Sequence, residues 1–233
     1  MYAGQEYMTP GAAQTVAIIA EAIRLDDDPL LVEMASGKGY AAASLAAHQA
    51  CRILCVEPHG PYVRHSADTI RRLGVGNRVR VVQANGRQLP FRANTMTGAY
   101  CIGAPSIVGL RAGLAELARV VIPGGWVVVS DVIWREQPGP LDAQWRWVKD
   151  AAQTTSDQYI AAIDSAGLRV DRVTVHGRDA WEEYWRPILA VAGDTRAAGD
   201  ESFAADVEQL VTVERGAVDS WLDYTTFVAV KRG

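Results

Sequence analysis

What is scarce in this chain sets the first bounds on what it can be. Cysteine is nearly absent: Cys51, Cys55 and Cys101 are the only three in 233 residues. Cys51 and Cys55 stand four apart across a predicted strand start, a spacing that suits no common zinc site or redox pair. An odd count without a framework predicts free thiols in a reducing compartment, and no metal site is expected. Apolar runs fall short of the roughly 18 residues that span a bilayer, so no membrane partner is expected. The opening MYAGQEYMTP lacks the basic-then-apolar pattern of a secretory signal, which predicts a cytoplasmic location. Basic charge is not in excess either: 23 Lys and Arg face 27 Asp and Glu, a formal net charge of −4. Nucleic-acid binders carry a basic face or stripe, so that class is argued against. Arg71-Arg72 and Arg78/Arg80 read as solvated residues between a helix and a strand.

What is present is an ordinary globular balance, 49% hydrophobic and 21% charged, without repeats or low-complexity tracts. The length suits one α/β domain of generous size or a domain with a lid. Thr9-Pro10 opens a predicted helix running to about Arg24, which Asp26-Asp27-Asp28-Pro29 breaks. Strands are predicted at 30–34, 52–56, 78–83, 98–102 and 126–132. Helices are predicted between them at 40–48, 62–73 and 108–121. Strands alternating with helices imply a parallel sheet covered on both faces. Beyond Asp131 a helix at 156–166 and a strand at 168–175 follow. Two helices across 179–216, interrupted at 193–200, precede a last strand at 224–230. The fold class expected is α/β: a doubly wound, mostly parallel seven-stranded sheet with an antiparallel last strand and a helical lid. One domain is expected over 1–233, with a core at about 29–133 and lid segments at about 134–155 and 179–216.

The strongest local signal is Val32-Glu33-Met34-Ala35-Ser36-Gly37-Lys38-Gly39. An acidic residue near the end of a strand is followed by a small-residue loop and a helix start. Gly37 and Gly39 let backbone approach a ligand closely, and the helix start offers free N–H groups at a positive dipole end. Twenty residues after Gly37, at the tip of the second strand, stands Glu57, where dinucleotide folds hold a ribose diol. Counting Gly-x-Gly-x-x-Gly from Ala35 meets Gly37 but finds Tyr40 where the last glycine is needed, which disfavours a phosphate site.

With these residues the chain resembles the class I S-adenosylmethionine-dependent methyltransferases, from about Pro10 to Val132. The resemblance implies that Glu33 meets the methionine end of the cofactor. Ala35, Gly37 and Gly39 stand for the family's three-glycine loop, Glu57 for its ribose-binding acid, and Pro58 and His59 flank the adenine. Asn85 stands for the aspartate that faces the adenine amino group, its amide oxygen still able to accept. Gly86 and Cys101 are placed in the same cofactor site. Leu89-Pro90-Phe91 and Ile122-Pro123-Gly124-Gly125 resemble the ubiquinone/menaquinone-type small-molecule branch. Gly103-Ala104 and Ser130-Asp131-Val132-Ile133-Trp134 resemble one subgroup of small-molecule methyltransferases. Ala35 in place of glycine is tolerable where that position keeps a negative φ. Gly98 departs from an acid common at the start of strand four.

Methyl transfer is an in-line displacement at a sulfonium, for which alignment supplies much of the rate and a base is needed only for a protonated nucleophile. The catalytic residue is unassigned; Asp131 and His176 are weak candidates, and His59 is a third. Trp134, Trp181, Tyr184 and Trp185 are expected to wall the substrate pocket, although Trp181, Tyr184, Trp185 and Ile188 at helical spacing equally read as core. The function expected is methyl transfer from S-adenosylmethionine to a small-molecule metabolite. The alternatives are a non-methyl-transfer reaction such as a cyclisation on the same fold, or a non-catalytic binding protein. The substrate, the atom methylated and the oligomeric state, a homodimer included, stay open.

Overall fold

A computed structural model describes residues 5–23, 29–137 and 154–233. In chain order the elements are α1 (Ala12–Ile23), β1 (Leu30–Met34), α2 (Tyr40–His48), β2 (Arg52–Glu57), α3 (Gly60–Arg72), β3 (Val79–Gln83) and β4 (Met96–Ile102). They continue with α4 (Pro105–Val108), α5 (Leu110–Val120), β5 (Val121–Trp134), α6 (Ser156–Ser165) and β6 (Leu168–His176). The chain ends with α7 (Arg178–Ala197), α8 (Glu201–Ser220) and β7 (Leu222–Lys231). Seven strands form one sheet in the order β3-β2-β1-β4-β5-β7-β6. All neighbours pair in parallel except β7, which runs antiparallel to β5 and β6. The expected sheet is therefore the observed one.

Side chains alternate across a strand, so a strand buried on both faces feeds two cores. On β5, Val127 and Val129 enter one core with Val32, Val56, Leu114, Leu117 and Tyr159. Trp126 and Val128 point the other way, into a core with Ile19, Leu31, Leu45 and Ile53. A third cluster joins α7, α8 and the ends of β5 and β7, with Trp134, Trp181, Trp185 and Tyr224 buried in it. The helix pair expected as a lid is thus built around its own apolar seam.

Three local expectations change. The first helix starts at Ala12, because Thr9, Pro10 and Gly11 form a bend and turn in which Gly11 has φ +64°. The helix expected over 108–121 is α5, Leu110–Val120; Gly109, at φ +103°, separates it from the short α4 ahead of it, which the sequence pattern does not predict. The fifth strand is longer than expected and starts at Val121, with a register shift that lets Pro123-Gly124-Gly125 turn inside it. The expected break at 26–28, the end of the first helix at Arg24, and most of the lid segment 134–155 lie outside the described residues.

Gly98 acquires a reason here. It pairs with Trp126 across the β4–β5 ladder, and a Cβ on it would lie 2.2 Å from the indole Cε2. The glycine makes room for the largest side chain of that core, so an acid at 98 would demand a different residue at 126. Gly98→Ala is expected to cost about 1–3 kcal/mol, the usual cost of overpacking a filled core. A chemical-denaturation midpoint unchanged from wild type would remove this account.

Candidate active site

The sheet places the chemistry at the carboxyl ends of β1, β2 and β4, where open α/β sheets hold their ligands. The loop after β1 needs left-handed backbone at three alternate positions: Ala35 at φ +56°, Gly37 at +53° and Gly39 at +71°. At Gly39 the requirement is also spatial, since a Cβ would meet Ser66 Oγ at 2.1 Å. Gly39 supplies no side-chain cap to α2, so the first N–H groups of that helix face the loop unopposed by a cap side chain. Ala35 contradicts its expectation: it sits at positive φ without the freedom of glycine.

Glu57, 5% exposed, ends β2 and holds this loop. Its Oε2 accepts from the Gly37 amide at 2.9 Å and its Oε1 from the His59 amide at 2.9 Å. A carboxylate has about four acceptor directions, so each oxygen keeps one for a ligand hydroxyl. Glu33, 3% exposed, lies across the loop, and its Oε2 accepts from Tyr100 Oη at 3.5 Å and Cys55 Sγ at 3.7 Å. Burial pushes its carboxyl up to about 8, against those hydrogen bonds and helped by the charge of Glu57. Both carboxylates line one cavity of about 550 Å³, within the range of small-ligand sites.

The same cavity is lined by Ala35, Gly37, Pro58, Asn85 and Gly86. Asn85 is exposed and its Oδ1 accepts from the Arg87 amide at 2.9 Å. Gly39, His59 and Cys101 are not in the lining: Gly39 packs on Ser66, His59 sets its ring edge-on to Tyr62 at 5.0 Å, and Cys101 is fully buried behind β4. Burial raises the Cys101 thiol well above its ordinary value.

The two catalytic candidates are held elsewhere. Asp131 is buried, its Oδ2 accepting from Ser106 N at 2.9 Å and Ser106 Oγ at 2.6 Å. It anchors the start of α4, whose Ile107 and Val108 do line the cavity. Burial lifts its carboxyl to about 6, against the Ser106 bonds. His176 Nε2 lies 2.7 Å from Thr226 Oγ1, itself 2.8 Å from Thr15 Oγ1, which bonds the Gly11 carbonyl. That chain fixes the start of α1, and burial lowers the imidazole. Neither residue lines the cavity.

Nor do the tryptophans. Trp181 and Trp185 point from α7 into the third core with Trp134, and Trp185 Nε1 donates to Glu214 at 2.7 Å. The helical spacing of 181, 185 and 188 faces α8 and β7, so the core reading of that stripe describes it. Tyr184 is half-buried on a second, smaller cavity. Trp145 and Trp147 lie outside the described residues.

What closes the cavity is the segment before α1, to which the sequence pattern assigns no role beyond the helix start at Thr9-Pro10. Glu6, Tyr7, Met8 and Thr9 all line it. Lys38 Nζ donates to the Gln5 carbonyl at 3.1 Å, and Tyr7 packs edge-on to Tyr40 at 5.0 Å. Burial and the neighbouring Tyr40 push the Tyr7 phenol up to about 12. A Cβ on Gly37 would lie 2.5 Å from Met8 Cε, and one on Gly103 would lie 2.5 Å from Thr9 Oγ1. The segment therefore lies directly on the glycine loops. The available signal was Tyr7-Met8, two apolar residues ahead of a helix start, which predict packing but not its partner. At the mouth Ile107 stands 80% exposed, an apolar side chain presented to whatever enters.

Ala35 gives a direct test of the loop geometry. A Cβ in the left-handed region costs about 1–2 kcal/mol, and glycine returns about 0.4–1 kcal/mol of that through a freer unfolded chain. Ala35→Gly is expected to stabilise the protein by roughly 0.5–1 kcal/mol. Loss of stability in urea titrations would show that the loop does not need positive φ there.

Comparison with known proteins agrees with the geometry. Residues 32–129 match a family model described as a methyltransferase domain. A curated relative, protein-L-isoaspartate O-methyltransferase of Methylorubrum populi, is 33% identical over 124 residues. The match spans 49% of this chain and 57% of the relative, so the chain covers little more than half of that protein. Among solved structures, a S-adenosylmethionine-dependent methyltransferase from Geobacter sulfurreducens in complex with S-adenosylhomocysteine has a TM-score of 0.78 at 20% identity. That superposition covers 99% of this chain and 96% of the other. Phosphoethanolamine N-methyltransferase 2 of Haemonchus contortus, in complex with S-adenosylmethionine, has a TM-score of 0.80 at 15% identity, covering 99% and 55%. Residues 32–129 thus resemble a methyltransferase domain, and the chain as a whole has the fold of the class I S-adenosylmethionine-dependent methyltransferases to which it is similar.

Proposed function

We propose that this chain transfers a methyl group from S-adenosylmethionine to a small-molecule acceptor. The observation that carries the proposal is the pair of buried carboxylates, Glu33 and Glu57, facing one cavity across a left-handed loop. The residues present fit that cofactor. Glu57 keeps free acceptor directions for a ribose diol while its other lone pairs hold the loop. Glu33 stands where an ammonium end would find a charge partner. Pro58 and Asn85 stand at the adenine end, Asn85 offering its amide oxygen. Three carboxylates, Glu6, Glu33 and Glu57, line the cavity against Lys38 and Arg87, a balance that suits a cationic ligand over a phosphate.

Bound there, S-adenosylmethionine supplies a sulfonium methyl ready for in-line displacement. The protein's work is alignment and exclusion of water. Met8 covers the loop after β1, Tyr7 and Thr9 line the cavity beside it, and α4, anchored by Asp131, adds Ile107 and Val108 to the lining. A covered cavity of this size, in a chain without basic excess, suits a metabolite better than a macromolecule. The phosphoethanolamine N-methyltransferase neighbour, named for a small acceptor, supports the same substrate class. Leu89-Pro90-Phe91 and Ile122–Gly125 support the ubiquinone/menaquinone-type branch. We read the three buried, free cysteines as fitting a reducing, cytoplasmic setting. Among the described residues no helix is long and apolar enough to cross a membrane.

The test is turnover: S-adenosylmethionine incubated with the protein and fractionated small-molecule extracts should release S-adenosylhomocysteine in step with a product heavier by one methyl group. Consumption of an acceptor without that release would point to another reaction on the same fold. Glu57→Ala should weaken S-adenosylhomocysteine binding by more than about 2 kcal/mol, since it removes charge-assisted hydrogen bonds of about 1.5–3 kcal/mol each. Asn85→Ala should cost about 1 kcal/mol, one neutral bond. The reverse order in calorimetry would misplace one of the two.

Glu33 predicts a pH dependence. Its carboxyl is raised to about 8, so near neutrality the free protein holds a proton there that an incoming ammonium group must displace. Affinity should therefore rise with pH, by up to tenfold per unit, between about pH 6 and pH 7.5. Glu33→Gln should flatten the profile. A wild-type affinity independent of pH across that window would remove Glu33 from the ammonium.

A further inference from the structure

A second cavity, of about 340 Å³, lies between the amino-terminal segment and α7. It shares Glu6, Tyr7, Thr9 and Ala12 with the first cavity, so the two adjoin along one strip of chain. Its polar lining combines carboxylates, amides and hydroxyls. Two carboxylates, Glu6 and Glu183, border it, and among the described residues no Lys or Arg does. Gln5 is 6% exposed; its Nε2 donates to the Tyr184 carbonyl at 2.9 Å, which fixes the amide and leaves Oε1 buried without a hydrogen-bond partner. Gln14 repeats the pattern: Nε2 donates to Glu183 Oε2 at 3.0 Å, and Oε1 is likewise buried and unpartnered. Tyr7 and Tyr184 add aromatic surface.

A buried amide oxygen left without a donor costs about 1–3 kcal/mol, and two of them on one wall call for a ligand rich in N–H groups. The two carboxylates call for that ligand to be positive, and aromatic faces favour a cation as well. We infer that this cavity recognises the ammonium end of the methyl acceptor, an organic amine whose other end reaches past the amino-terminal strip to the cofactor. The inference rests on the methyl-transfer reading for the word acceptor, but the amine site stands on its own lining. It also gives Tyr184 a place near substrate while Trp181 and Trp185 remain in the core.

The experiment titrates the full chain with putrescine and with butanediol, its uncharged counterpart of similar length, with and without saturating S-adenosylhomocysteine. Putrescine should bind at least tenfold more tightly than butanediol. Glu183→Gln, on an exposed turn of α7, should reduce putrescine binding at least fivefold while leaving S-adenosylhomocysteine affinity unchanged. Glu6→Gln is the second variant, on a different element. Equal binding of the two probes, or putrescine binding unaffected by both variants, would overturn the amine site. Putrescine binding without any S-adenosylhomocysteine binding would keep the site and remove the methyl-transfer reading; the reverse pattern would do the opposite.

Discussion

Everything at the sheet edge depends on one carboxylate. Glu57 takes the amides of Gly37 and His59, one on each oxygen, and so ties the loop after β1 to the loop after β2. The parallel register, which pairs Met34 with Val56, brings the two strand ends level, and Glu57 spans the gap they leave. A buried carboxylate is costly unless its lone pairs are filled, and two backbone donors offset part of that cost. The left-handed run through Ala35, Gly37 and Gly39 is then held open as a shallow backbone cradle, over which Met8 lies. Without that tie the loop would have no reason to hold three positive φ angles against their cost.

A second consequence is the division of labour among acidic groups. Glu33 and Glu57 face the cavity; Asp131, equally buried, spends its lone pairs on Ser106 and Val132 and works as an anchor for α4. Burial raises Glu33 and Asp131 alike, so titration behaviour alone does not separate a ligand-facing carboxylate from a structural one. Their surroundings do. Similarly, α7 acts on the site at one remove, through the Tyr184 carbonyl that holds Gln5.

Most of the frame was legible in the sequence because strands buried on both faces read as apolar runs, and the turns between them carry glycine and proline. The spacing of Glu33, the small-residue loop and Glu57 marked the cavity because it reflects strand ends brought level by parallel pairing. Other features depend on tertiary contacts that no local pattern carries. The positive φ at Ala35 follows from the Glu57 tie, twenty-odd residues away. Gly98 is explained only by Trp126 on the next strand. The 181/185/188 stripe is apolar on one face whether that face meets a substrate or α8, and only the packing decides. The covering role of Gln5 to Thr9 was hidden because a short approach to a helix has no periodicity to read.

The most direct test of the central claim is a crystal structure of the protein with S-adenosylhomocysteine. The account predicts both ribose hydroxyls within hydrogen-bond distance of Glu57, with the Gly37 and His59 amides still bound to the same carboxylate. The amino group should lie at Glu33, under Met8 and Tyr7. A ligand seated away from Glu57, or a Glu57 carboxylate that abandons the Gly37 amide to reach it, would contradict the account.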